Sequence, residues 1–319
     1  MRQQSSAKDA PRAGRDGGFA LVAVLLVLAL MAMIAATFLL SVRAHLRSVA
    51  ATSAAARAEA IADGGVSIAL LDILAAREDR TRPRRFALDG TSIACRLDDG
   101  ARLLVSVQDE AGRVDLNSAG EALLVALLRG SGFDDSDAER LAQRILDHRD
   151  RDGDRRPSGA ERPEYEAAGL PGPKNRPFDA IDELAQVLGA DAALLDRLRG
   201  AVTVHSGLAG VDPKVMRPSQ VAIIARGAVM DRDGFAGAPR AVEPGALPQR
   251  FVEISPQQVF RIRSAAITSD AALFVREAIV DLGPRRARQQ TFRRWTRGSS
   301  QPDDGVPFQD RANSALPPC

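Results

Sequence analysis

The densest set of hard oxygen donors in this 319-residue sequence is Asp147-His148-Arg149-Asp150-Arg151-Asp152-Gly153-Asp154, with Glu161 a few residues on. Alternate carboxylates on a tight loop, closed by a later glutamate, form the pattern by which an EF-hand loop holds calcium at positions 1, 3, 5 and 12. Counted from Asp150, those positions fall on Asp150, Asp152, Asp154 and Glu161. Position 6 of such a loop is glycine, whereas Arg155 stands there, and Pro157 breaks the helix that would follow, so the segment is not a true EF-hand. What survives is hard-cation chemistry, calcium over zinc, because no cysteine or suitably spaced histidine accompanies the carboxylates. The other reading is a solvated acidic loop whose charges pair with Arg149, Arg151, Arg155 and Arg156.

Other reactive arrangements are sparse. His45, His148 and His205 stand in no nucleophile–base setting, and the sequence has no phosphate-binding glycine loop, Gly-x-Ser-x-Gly elbow or His-Glu-x-x-His. The chain therefore reads as non-enzymatic, and a hydrolase built on His205 is the rival without a visible catalytic partner. Val114-Asp115-Leu116-Asn117-Ser118-Ala119, the leucines after it and Gly130-Ser131-Gly132-Phe133-Asp134-Asp135 read as a helix-hairpin-helix unit. Such a unit can bind DNA by aiming backbone N–H groups at phosphate. Asp134 and Asp135 stand where the phosphate would approach, and Asn117 and Ser118 read more simply as helix caps. With Lys plus Arg 43 against Asp plus Glu 41, the net charge of +2 gives no push toward nucleic acid either.

The elements that position these residues follow from pattern. Phe19 to Leu40 is an uncharged apolar run of 22 residues, about 33 Å as a helix and enough to cross a bilayer. Ser41 to Arg77 continues with Ile61, Val66, Leu70, Leu71 and Leu74 at near-helical spacing, and Gly64-Gly65 is the expected weak point. Strand patterns follow at Thr91 to Leu97 and Arg102 to Gln108, joined by a turn at Asp98-Asp99-Gly100. Helices then take over, at Ser136 to Asp147 and Asp179 to Leu188 among others. Strand patterns return at Val259 to Thr268, where Phe260 and Ile262 alternate with Arg261 and Arg263, at Leu273 to Leu282, and at Gln289 to Trp295. The helices thus read as inserted between parts of a sheet. The expected fold class is α+β, a long N-terminal helix packed on an antiparallel sheet with a large inserted helical domain. Its expected segments are a leader (1–18), a membrane-spanning half-helix (19–40), the soluble continuation of that helix (41–78), the first part of the sheet (79–108), the helical insert (109–205), the rest of the helical block with the returning sheet (206–297) and a disordered tail (298–319). Cys95 reads as a buried strand residue, and whether it pairs with Cys319 is open.

The border of the apolar run is informative. Arg15-Asp16-Gly17-Gly18 leads directly into Phe19, and no Ala-x-Ala cleavage site follows within the run. That order resembles the class III signal of type IV pilins and pseudopilins, in which a prepilin peptidase cuts after the glycine, here Gly18, and the new N-terminal residue, here Phe19, is methylated. An uncut anchor helix is the alternative. Gly18 to Val24, Asp115-Leu116-Asn117, Ile145 to Asp152, Gly159-Ala160-Glu161, Tyr165, Asn175-Arg176-Pro177-Phe178 and Glu183 to Val187 together resemble the K minor pseudopilins of type II secretion systems. His148 departs from the tryptophan usual in that family, and Val211-Asp212-Pro213 from an Asn-containing motif.

The resemblance implies a subunit of the bacterial inner membrane with its soluble part in the periplasm. It implies a place at the tip of the pseudopilus beside the I and J minor pseudopilins, contact with the major pseudopilin, the prepilin peptidase and the inner-membrane secretion platform, and no nucleic acid. It implies calcium at Asp150, Asp152, Asp154 and Glu161, with Asp147 behind them. It also gives Ala23 meaning. Major pilins and most pseudopilins carry glutamate five residues into the mature chain, whereas the neutral Ala23 at that point resembles the K member. A carboxylate in the membrane is costly without a partner, and a subunit at the filament tip has no neighbour above it to supply one. A type IV pilus-like minor pilin or a DNA-uptake protein is the alternative assignment.

Overall fold

The computed structural model describes residues 17–233, 247–283, 291–299 and 316–319, and the chain divides into two units at Ala54/Ala55. Most of the expected leader, and residues 300–315 of the expected tail, lie outside the described residues. Helix α1 (Gly17–Glu78) supplies the described part of the first unit. There its leucines, valines and methionines, Leu21 to Leu40, are exposed. Its best window has a mean hydropathy of 2.8, and among the described residues it is the one helix long and apolar enough to cross a membrane.

In the second unit α1 turns amphipathic. Ala58, Ala62, Val66, Ala69, Leu70 and Ile73 recur every three or four residues and are buried in one cluster with Leu103, Val105, Phe260, Ile262, Ala278 and Val280 of the sheet. The expected weak point at Gly64-Gly65 is not a break, since α1 runs through it unbroken. Gly65 faces the sheet, and a Cβ there would strike Ser264 Oγ and come within 3.0 Å of Leu103 and 3.1 Å of Val105. Glycine is used for close approach of the helix, not for a bend. Arg276 reinforces the contact by pairing with Glu59 at 2.5 Å and Asp63 at 2.6 Å on α1.

The sheet is antiparallel throughout. Strands β1 (Asp89–Arg96) and β2 (Arg102–Asp109) form a hairpin turned at Asp98-Asp99-Gly100, where Gly100 has φ +84° and Asp99 accepts from the Ala101 N–H at 2.8 Å. After β2 the chain leaves the sheet through β3 (Val114–Asp115), α2 (Glu121–Gly130), α3 (Asp135–Arg149), α4 (Arg162–Ala167), α5 (Ala192–Leu198), β4 (Val202–Thr203) and α6 (Pro218–Asp233). It returns as β5 (Val259–Ile267), β6 (Leu273–Asp281) and β7 (Thr291–Arg297). The sheet order is β1-β2-β5-β6-β7, with Asp109 opposite Phe260. The strands on either side of the helical block are therefore hydrogen-bonded to each other, which makes the block a true insertion. The alternation in β5 sorts as its pattern predicts. Phe260 and Ile262 lie in the core with α1, whereas Arg261 and Arg263 belong to the other face.

The insert has its own core of Leu123, Leu124, Leu127, Ile145, Leu184, Leu194 and Ile224 among others. The parallel pair β3–β4, Val114 opposite Val202 and Asp115 opposite Thr203, closes its base. Helices α2 and α6 touch backbone to backbone, since a Cβ on Gly227 would collide with the Ala126 carbonyl and one on Gly130 with the Ile223 carbonyl. Gly227→Ala is accordingly expected to cost about 2 kcal/mol, read as a lowered melting temperature; an unchanged melt would mean that the helices do not cross so closely. The helix expected at Asp179 to Leu188 is instead a 3₁₀ turn over Ile181–Gln186. Its buried residues Ile181 and Leu184, with the buried Val187 at its C-cap, recur every third residue, the 3₁₀ period, and Gly189 at φ +83° follows.

The expectation of a tail disordered to its end is corrected for the last four residues. Pro318 bridges to Arg96 on β1, the Cys319 N–H donates to the Arg96 carbonyl at 3.0 Å, and Cys319 forms a disulfide with Cys95. That pairing also decides the question left open for the two cysteines.

Candidate functional site

The acidic segment sits where α3 ends. Asp147 lies in its last turn with no exposed surface, and Asp150 is its C-cap. Two negative groups at the negative end of a helix dipole require compensation. Arg156 supplies it: one guanidinium nitrogen lies 2.5 Å from Asp147 Oδ1 and 2.6 Å from Asp150 Oδ2, and the Arg156 N–H donates to Asp147 Oδ2 at 3.3 Å. Arg155 reaches Glu164 at 3.4 Å, and Arg149 donates to the carbonyls of Leu116 and Ala119. The structure thus realises the arginine pairing of the solvated-loop reading at Asp147 and Asp150.

The five expected metal ligands do not converge. Asp152 and Asp154 are exposed, and Asp152 Oδ1 accepts from the Asp154 N–H at 3.1 Å as a local turn. Among the described residues no three histidine, cysteine, aspartate or glutamate side chains are grouped to hold a metal ion. The reason is the missing glycine at Arg155, which removes the sharp turn that folds an EF-hand loop inward, and the claim that Arg156 makes on two of the carboxylates.

Glu161 behaves differently. It is buried, with Oε1 lacking any hydrogen-bond partner, and Asp150 Oδ1 and Asn175 Oδ1 are likewise buried and unpartnered. Burial pushes the Glu161 carboxyl above its ordinary range; a hydrogen bond from Asn175 opposes this, and the charges of Asp147, Asp150 and Asp152 add to it. Asn175, held at φ +48° with its amide donating to the Asp152 carbonyl at 3.0 Å, was not singled out as a donor from sequence. Its left-handed backbone, which asparagine tolerates, is the signal that could have drawn attention to it. Buried oxygens without hydrogen-bond partners are the type of donor that a hard cation takes.

Behind the loop, His148 has no exposed surface, stacks on Phe178 at 5.1 Å and lies 3.2 Å from the Tyr165 hydroxyl, which in turn accepts from the Leu188 N–H at 3.0 Å. Burial lowers its pKa to about 4. A histidine depressed in this way favours the fold while neutral, so its stabilisation is present above the ordinary value near 6.5 and is lost as pH falls toward 4. The loss amounts to about 2–3 kcal/mol. His148→Phe should flatten the melting temperature between pH 7 and pH 4; equal slopes in the two proteins would count against this account.

The Asp115-Leu116-Asn117 motif is structural. Asp115 accepts from the Asn117 N–H at 2.7 Å, the Gly207 N–H at 2.7 Å and the Ser206 hydroxyl at 3.1 Å. Asn117 exchanges two hydrogen bonds with the Phe178 backbone instead of capping a helix, and the N-cap of α2 is Gly120. In the helix-hairpin-helix reading, Asp134 caps α3 by accepting from the Asp137 N–H at 2.8 Å, and Arg129 is committed to Asp135 and Glu139. The cap that phosphate would need is taken by a carboxylate. Gly18 lies at the start of α1 with Phe19, and Ala23 is exposed on the apolar stretch.

A long N-terminal helix whose part from Ala58 onward packs on an antiparallel sheet, the sheet interrupted by a helical insert, is a pilin-like fold. Residues 102–207, from β2 through the acidic loop to the far end of the insert, match the family described as Type II secretion system (T2SS), protein K. Over that third of the chain the sequence is similar to the K proteins of type II secretion systems. Its fold is also that of a chain in the crystal structure of the GspK-GspI-GspJ complex from the enterotoxigenic Escherichia coli Type 2 Secretion System. That likeness has a TM-score of 0.53 at 18% identity and covers 81% of this chain and 99% of that one. No curated protein matches the sequence.

Proposed function

We propose that the chain works as a non-enzymatic tip subunit of the pseudopilus, joined to the I and J minor pseudopilins and supporting protein export across the outer membrane. The observation that carries this reading is the family match over residues 102–207, the segment that builds the insert and its acidic loop. The structural likeness to a chain solved with GspI and GspJ supports the choice of partners. Ala23 supports the tip position, because a neutral residue in the apolar run does not need the partner that a buried carboxylate would.

On this reading the prepilin peptidase cuts between Gly18 and Phe19, Phe19 is methylated, α1 crosses the inner membrane once, and the rest of the chain is periplasmic. The Cys95–Cys319 disulfide supports the last point, since such bonds persist in oxidising compartments. The major pseudopilin and the inner-membrane platform are the remaining expected contacts. Mass spectrometry of the mature protein tests the processing step: a methylated N-terminal Phe19 is expected, and a chain starting at Met1 or beyond Leu40 would overturn it.

Calcium belongs to the same proposal. Asp150, Glu161 and Asn175 would hold the ion through their unpartnered oxygens. Bound there, it would relieve the repulsion that Glu161 feels from Asp147, Asp150 and Asp152. Its role would be to rigidify the insert, not to take part in a reaction.

A further inference from the structure

We propose that Arg156 is a built-in cation that keeps the acidic loop folded without any metal. The argument begins with Asp147. A fully buried carboxylate must be paired or it destabilises the fold, and Asp147 has Arg156 as its cationic partner, with the side chain on one oxygen and the backbone N–H on the other. The same guanidinium nitrogen holds Asp150, so a single charge ties the last turn of α3 to its cap. The loop is drawn close around this pair, and a Cβ on Gly159 would run into Asp147 Oδ2. Pro157 fixes the backbone immediately after the arginine.

The position of that charge gives the proposal its content. A hard cation in this loop would draw on Asp150, and the geometry already commits one Asp150 oxygen and both Asp147 oxygens to Arg156. The oxygens left without partners are Asp150 Oδ1, Glu161 Oε1 and Asn175 Oδ1. An ion at these atoms would share Asp150 with Arg156 and would leave the pairing of Asp147 to the arginine. This second statement rests on the calcium reading; the role of Arg156 in the metal-free protein does not.

The full-length chain in detergent, melted in chelator and in about 1 mM calcium chloride, tests both. Two substitutions are compared with the parent, Arg156→Gln and Arg156→Lys. In chelator Arg156→Gln should melt about 6 °C lower, and Arg156→Lys, which keeps a point charge, should recover most of that loss. If calcium takes the vacated place, it should raise the melting temperature of Arg156→Gln more than that of the parent. A drop in chelator with no calcium response in either protein would uphold Arg156 as the internal cation and overturn the calcium reading. An Arg156→Gln protein that melts with the parent in chelator would overturn the proposal. Should Arg156→Gln fail to fold, the double substitution with Asp150→Asn, which removes one of the two repelling carboxylates, is expected to restore folding. A double variant that still fails would also overturn it.

Discussion

Glu110→Ala is expected to destabilise the second unit by about 4 kcal/mol, the largest single-residue effect anticipated in the chain. Glu110 follows β2 directly, at the point where the chain leaves the sheet for the insert, and it has no exposed surface. Arg113 lies 3.6 Å from its Oε1, Arg261 of β5 lies 3.4 Å from the same atom, and the Thr203 hydroxyl of β4 donates to Oε2. Burial alone would push the Glu110 carboxyl up, but Arg113 and Arg261, with Thr203, hold it below its ordinary value. Removing it takes the buried counter-charge from two nearly buried guanidinium groups at the junction between sheet and insert, leaving Arg113 its hydrogen bonds to the Arg199 and Gly200 carbonyls and Arg261 its longer approach to Glu277 at 3.9 Å. Glu110→Gln should cost less, because the amide still accepts from Thr203. Urea unfolding of the three proteins checks this, and a Glu110→Ala midpoint within error of the parent would show that the junction is held by other contacts.

Cys319→Ser comes second, with an expected loss also near 4 kcal/mol. The disulfide links residues 224 apart in sequence, and closing so long a loop removes much of the freedom of the unfolded chain. It also holds Pro317, Pro318 and Cys319 against Arg96, whose N–H donates to the Pro317 carbonyl at 2.9 Å. Released, the C-terminus would leave the outer edge of β1 at Arg96 without these bonds, with β2 still paired on the other side. The parent should lose about 10 °C of melting temperature in reductant, whereas Cys319→Ser should already be low and indifferent to it. A parent that ignores reductant would contradict the assignment.

The parts of the fold legible in the sequence were those written as a repeat. Phe260 and Ile262 against Arg261 and Arg263 gave the two faces of β5, and the apolar run gave α1. The unreadable parts depended on neighbours remote in sequence. Gly64-Gly65 looks like a weak helix until the sheet is seen against Gly65. Asn117 looks like a cap until Phe178, sixty-one positions away, is found to hold both ends of its amide. Ile181, Leu184 and Val187 support a 3₁₀ turn as well as a helix, and only the packing distinguishes them. At the acidic loop the spacing identified the right region, but not which charges meet. Pairing is a matter of loop conformation, and the residue type at Arg155 was the clue that the loop would not fold as an EF-hand does. The cysteines could not be paired from their separation, because nothing local brings residue 319 to β1.

The proposed function is that of a subunit that works by assembling, and its partners are therefore the point to test. The chain should be co-expressed with the I and J minor pseudopilins of the same cell, extracted in detergent and purified through a tag on this chain. The account predicts a ternary complex that survives gel filtration and contains all three subunits. Recovery of this chain alone, with I and J eluting together as a separate pair, would contradict it.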